Sequence, residues 1–202
     1  MCGAMYREDG QQLNEEEYIE SFPLGFQFKP TDEELVQSYL MRKIKNLKLP
    51  CNRIREVDLY KFPTPQSLVE KYALIKNRES KWYFFSPRIK KYLNGDRPNR
   101  ITPGGYWKLT GRDAPVCSRG QTIGKKRTLC FYEGKPTSAK KTNWIMHEFR
   151  INEQGHTTSY DDSMKLDDWV LCKVFERNIG SNATTQRDTT EVCNDANQQS
   201  LE

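Results

Sequence analysis

The sequence predicts an α+β domain in which helices come first and an antiparallel sheet follows. Three observations carry this. Helix signals end by Leu74. From Lys81 onward, short strand-like runs are separated by turn residues with no helical pattern between them. Four of those runs carry one tryptophan each (Trp82, Trp107, Trp144 and Trp169), giving each strand a large ring to bury.

In chain order, residues 1–13 are polar and without periodicity, and the acidic run from Asn14 can open a short helix, since carboxylates suit a helix N-terminus. Thr31 and Glu34 have the spacing of a capping box, in which each side chain satisfies the other's free backbone N–H. Leu35, Val36, Tyr39, Leu40, Ile44 and Leu47 then recur at helical spacing, which predicts a helix over 32–46. Thr64-Pro65 starts a second helix, with proline at the first position, where its missing N–H costs nothing. Leu68, Val69, Tyr72 and Leu74 form its inward face. The expected strands are 81–86, 105–112, 114–118, 123–134, 141–151 and 167–176, with Asn94-Gly95 as a tight turn. The stretch 178–202 is polar and aperiodic and is expected to be a disordered tail.

Charge is concentrated. Residues 76–150 hold 18 Lys/Arg and 5 Asp/Glu, a net of +13, inside a chain whose net is only +5. A basic middle between acidic ends draws polyanions; a solvated lysine-rich surface is the plainer alternative. No amphipathic basic helix is present to lie on an acidic membrane, and no apolar run is long enough to span one. The N-terminal residues lack the apolar core of a secretion signal. Six cysteines without a CxxC pair and two histidines exclude a Cys2His2 finger and an HExxH protease. Phosphate-binding GxxxxGK[ST] and GxGxxG loops are missing. Cys130 with His147 is the one nucleophile–base pair worth naming, and both read as packed strand residues. Asp161-Asp162 and Asp167-Asp168 read as exposed loop acids rather than a catalytic pair, adjacent strand residues pointing to opposite faces. No catalytic residue, metal site or cofactor is expected.

The run GYWKLTGRD remains. Alternation would put Tyr106, Lys108, Thr110 and Arg112 on one face and Trp107, Leu109, Gly111 and Asp113 on the other. Lys and Arg can donate to phosphates or to guanine O6 and N7, and a β element can enter a major groove. An ordinary amphipathic strand with a solvated face fits the same spacing equally well.

At this point seven stretches resemble, in order, the DNA-binding domain of the plant NAC transcription factors. They are PLGFQFKPTDEELV, EVDLYKF, KWYFFSPRIKKYLNGDRPNRIT, GGYWKLTGRD, IGKKRTLCFYEGKP, TNWIMHEFR and LDDWVLCKVFE. They span about residues 20–177, leaving 1–19 as an N-terminal extension and 178–202 as a tail. The resemblance implies a twisted antiparallel β-sheet flanked by N-terminal helices. It also implies a sequence-specific double-stranded DNA binder that inserts an edge strand into the major groove, prefers a CGT-type core and regulates transcription in a plant nucleus. The family's groove-entering strand matches Trp107 to Asp113, giving Lys108, Leu109, Thr110, Gly111 and Arg112 as DNA contacts. Its flanking cations match Arg97, Arg100, Lys125, Lys126, Lys140 and Lys141. Its dimer interface matches Leu24, Gly25, Phe26, Gln27 and Glu34, implying a homodimer or a heterodimer with other NAC proteins.

There are departures. Leu109 stands where the family usually has alanine, and Arg112 where it has lysine. Gln27 replaces an arginine that pairs with the acid at Glu34, which predicts a weaker dimer. The stretch 61–80 replaces a Pro-Trp-containing segment. The short tail suggests weak activation, so a second expectation is a dimerisation partner that dampens longer relatives. Lys125-Lys126-Arg127 doubles as a candidate nuclear import signal.

Overall fold

The structure, a computed structural model, describes residues 27–72, 80–89, 99–151 and 165–177. The expected helix from Asn14, the Asn94-Gly95 turn, Leu74, Asp161-Asp162 and the tail lie outside the described residues.

The first helix, α1, begins at Thr31 as the spacing predicts. The Thr31 hydroxyl accepts from the Glu34 N–H at 3.2 Å, and the Glu34 carboxylate accepts from the Thr31 N–H at 2.8 Å. α1 runs as an α-turn (Asp32–Glu34), a π segment (Leu35–Leu40) and a final α-turn (Met41–Ile44). The widened π turn lets Leu35, Val36 and Leu40 all reach zero exposure. The helix stops in a Schellman motif. Asn46 takes a left-handed φ of 52°, the Leu47 N–H bonds the Arg42 carbonyl, and the Asn46 N–H bonds the Lys43 carbonyl. Leu47 therefore falls past the helix and is half exposed, although its spacing from Ile44 suggested a core position. The second helix, α2 (Pro65–Tyr72), follows a 3-10 turn at Leu59–Lys61. Thr64 and Ser67 cap it reciprocally, each hydroxyl accepting from the other's N–H.

Eight strands form one sheet: β1 (Ile54–Glu56), β2 (Lys81–Ile89), β3 (Ile101–Thr102), β4 (Gly105–Leu109), β5 (Ala114–Ser118), β6 (Gln121–Glu133), β7 (Lys140–Ile151) and β8 (Lys165–Glu176). Their order is β1-β2-β8-β7-β6-β4-β3, with β5 also on β6. Every pairing is antiparallel except β1 with β2, so the sheet is mixed rather than wholly antiparallel as the sequence suggested. Asp167 and Asp168 lie in β8, not in a loop.

Both faces of the sheet are covered. Against one face α2 and the 3-10 turn bring Leu59, Leu68 and Val69 onto Phe84, Trp107, Leu129, Phe131, Trp144 and Met146. On the other, Leu35, Val36 and Leu40 of α1 meet Tyr83, Phe85, Phe149 and Leu171. This explains the continuous aromatic run in β2: Phe84 serves one core while Tyr83 and Phe85 serve the other. Trp107 and Trp144 are buried, whereas Trp82 and Trp169 are half-buried at the margins. Gly124 lets α1 settle on β6, since a Cβ there would lie 2.4 Å from the Arg150 carbonyl oxygen and 3.0 Å from Val36. Lys43 on α1 is buried, pairs with Glu56 and sits 4.6 Å from the Trp169 ring centroid.

Candidate nucleic-acid interface

β4 and β5 lie end to end along the same edge of β6. Leu109 pairs with Leu129, and Ala114 pairs with Lys126. Thus Thr110, Gly111, Arg112 and Asp113 must cover the span that Arg127 and Thr128 occupy on β6. Two surplus residues cannot stay in the plane of the sheet, so the chain loops outward. The loop is pinned at both ends. The Thr110 N–H donates to the Thr128 carbonyl at 2.8 Å. At the far end, Arg127 forks onto Asp113, with Nε 2.8 Å from Oδ1 and Nη2 2.7 Å from Oδ2. Between these pins Gly111 holds φ at 82°, a left-handed geometry that a side chain would strain.

The expected strand over 105–112 therefore ends at Leu109, and the alternation of faces does not continue through the loop. Lys108, Leu109, Gly111 and Arg112 are all exposed, Leu109 at 40%. Leu109 shares the Trp107 face by register but is not among the buried core residues there. Thr110 is half-buried and turns its hydroxyl inward, donating to the Thr128 carbonyl at 3.2 Å beside the Cys130 sulfur at 3.6 Å.

Beside the loop lies an aromatic platform. Tyr106 and Tyr132 stack with ring centroids 5.5 Å apart, and the Lys108 ammonium is 5.4 Å from the Tyr132 ring. Lys141 stands opposite Tyr132 and Lys140 opposite Glu133, both lysines exposed at the start of β7. Lys125 is exposed farther along β6.

Other expected cations sit differently. Lys126 is engaged by Asp32 of α1. Arg100 is directed inward, its Nη2 3.6 Å from Oε1 of Glu148, while its carbonyl accepts from the Trp107 N–H at 2.9 Å. Arg97, Leu24, Gly25 and Phe26 lie outside the described residues. Gln27 is exposed, and the Glu34 carboxylate is occupied by its capping contacts. Cys130 and His147 are packed strand residues, as the sequence predicts: Cys130 meets Thr110, and His147 packs edge-on against Phe175 at 5.2 Å.

On β7, Glu148 is fully buried and takes Arg150 on Oε1. Burial, and secondarily the Glu148 charge, push the Tyr60 phenol well above 10.0; the same causes push the Cys172 thiol well above 9.0. Asp113, Arg127 and Glu148 were not among the expected site residues. The available signal was scarcity: Asp113 and Glu148 are two of only five acids in the basic stretch. Among the described residues no group of three or more His, Cys, Asp or Glu is placed to hold a metal, and no helix is long and apolar enough to cross a membrane.

Comparison with known proteins adds the lineage. A family model described as "No apical meristem (NAM) protein" matches residues 23–151. The chain is 51% identical over 159 residues to NAC domain-containing protein 2 of Oryza sativa subsp. japonica, covering 78% of this chain and 49% of that protein. It is 49% identical over 156 residues to NAC transcription factor 32 of Arabidopsis thaliana, covering 77% and 60%. It is 44% identical over 194 residues to NAC transcription factor NAM-A1 of Triticum turgidum subsp. durum, covering 86% and 47%. The chain spans about half the length of the curated relatives it matches.

Proposed function

The chain belongs to the NAC family of plant proteins, and from that membership we propose that it is a nuclear transcription factor that reads double-stranded DNA with the loop between β4 and β5. The observation that carries this reading is the outward loop itself: four residues stand where two would fit, pinned at Thr110 and Asp113, with Lys108, Leu109, Gly111 and Arg112 exposed. A β edge that projects a rigid cationic loop suits the width of a major groove. Lys125, Lys140 and Lys141 supply further exposed cations for the phosphates. Arg100 and Lys126 contribute by fixing the scaffold, given their engagement with Glu148 and Asp32. Pairing with a second NAC chain through Leu24, Gly25, Phe26, Gln27 and Glu34 belongs to the same proposal.

The test is a fluorescence titration of a labelled CGT-core duplex and a scrambled duplex across a salt series. Each phosphate contact releases counterions, so the log–log slope should be about −0.9 per contact. Equal affinity for both duplexes, or a flat salt dependence, would contradict the reading. Size-exclusion chromatography over micromolar concentrations tests the dimer, and a strictly monomeric chain would remove that part.

A further inference from the structure

Glu148 has zero exposure, and its Oε2 has no hydrogen-bond partner among the described residues. Two arginines reach its carboxylate, and a third stands across the strand pair. Arg150, two residues along β7, bonds Oε1; Arg100 approaches the same oxygen at 3.6 Å; Arg127 stands directly opposite on β6. Two of these arginines hold the reading segment from below. Arg100 anchors β4, because its carbonyl takes the Trp107 N–H. Arg127 clamps the loop's far end at Asp113. One buried carboxylate therefore pairs with the arginine that anchors β4 and stands across the strand pair from the arginine that clamps the loop's far end.

We propose that Glu148 is a positioning residue for DNA recognition, acting through Arg127 and Arg100 to fix the loop that carries Arg112. A buried ionised carboxylate adds little to stability compared with an apolar side chain of similar volume, so its use lies in the geometry it imposes. With its negative charge present, Arg100 keeps its inward direction, and Arg127 has a carboxylate across the strand pair on β7 in addition to its fork onto Asp113. Without it, Arg100 loses its carboxylate and Arg127 loses the charge across the strand pair, and the loop loses its single conformation. Discrimination between sequences needs that conformation; attraction to phosphates does not. The proposal rests on the reading of the loop as the DNA contact.

The test compares the 202-residue chain with Glu148→Gln, Asp113→Asn and the double variant, using the labelled CGT-core and scrambled duplexes, with thermal melts as the folding control. Glu148→Gln should lose about tenfold or more in cognate affinity while keeping its affinity for scrambled DNA. Asp113→Asn should do the same, and the double variant should lose no more than the worse single, because both act through Arg127. Unchanged discrimination in folded Glu148→Gln, or independent losses that add, overturns the proposal. If Glu148→Gln does not fold, Glu148→Met replaces it under the same criteria, and failure of both to fold makes the carboxylate purely structural. If the wild-type chain itself does not discriminate, the loop reading fails first and takes this proposal with it.

Discussion

Lys126 of β6 and Asp32 of α1 are bound to each other, tying the helix's first turn to the strand against which β4 and β5 both pair. The pair is part-shielded, with side chains 18% and 35% exposed, so solvent screening discounts its worth. Lys126→Ala should lower stability by about 1 kcal/mol or less. Lys125→Ala, one residue away and exposed, should leave the melting temperature alone and weaken DNA binding instead. Thermal melts beside salt-dependent titrations would separate the two; a larger binding loss for Lys126 than for Lys125 would show that the Asp32 pair opens on DNA.

Lys108 and Arg112 should differ in kind. Lys108 projects from β4 over the Tyr132 ring, where a point charge suits a phosphate. Lys108→Ala should weaken cognate and scrambled binding alike and reduce the salt slope by about 1. Arg112 stands on the exposed loop, where a planar fork can reach base edges. Arg112→Ala should cost about 1–3 kcal/mol on the cognate duplex and less on the scrambled one. Both variants should melt like the parent, and a folding loss in either would make it structural.

Which features were legible in the sequence follows from how local their causes are. Thr31 and Glu34 are three residues apart and both read directly as a cap, as do Thr64 and Pro65. β7 and β8 were found nearly whole because Trp, Ile, Met, Phe and Val mark them along their length. The outward loop was not legible. It exists because β4 and β5 share one edge of β6 with mismatched spacing, and the pairing of Leu109 with Leu129 and of Ala114 with Lys126 is a long-range choice. The fate of each cation was hidden for the same reason. Nothing near Arg100 in the chain announces Glu148, 48 positions on.

Gly111 gives a third expectation. A Cβ there would meet nothing within 4 Å, so substitution brings no clash, only backbone strain at φ 82°. Gly111→Ala should cost about 1–2 kcal/mol if the loop keeps its shape. If the loop instead relaxes, stability is spared and cognate affinity falls. Gly111→Asn, whose side chain tolerates left-handed φ, should recover most of the loss in either case. Equal behaviour of alanine and asparagine would mean that the loop's φ is unimportant to recognition.

Tyr60 sets the response to alkali. Burial raises its phenol well above the ordinary 10.0, and the neighbouring Glu148 charge raises it further against the smaller opposing pull of Arg100 and Arg150. The folded chain therefore keeps a proton that the unfolded chain releases. That stability is fully present below pH 10 and drains away as pH climbs from 10.0 toward the folded value. Cys172, raised above 9.0 by the same burial, adds a second component beginning about one pH unit lower. Tyr60→Phe keeps the ring in its packing and removes the ionisable hydroxyl. Denaturant melts from pH 8 to 11 should show the parent losing stability steeply above about pH 10 and the variant losing it less steeply, with the thiol's contribution left in both. Parallel pH profiles for the two proteins would mean that the Tyr60 hydroxyl reaches solvent in the folded state.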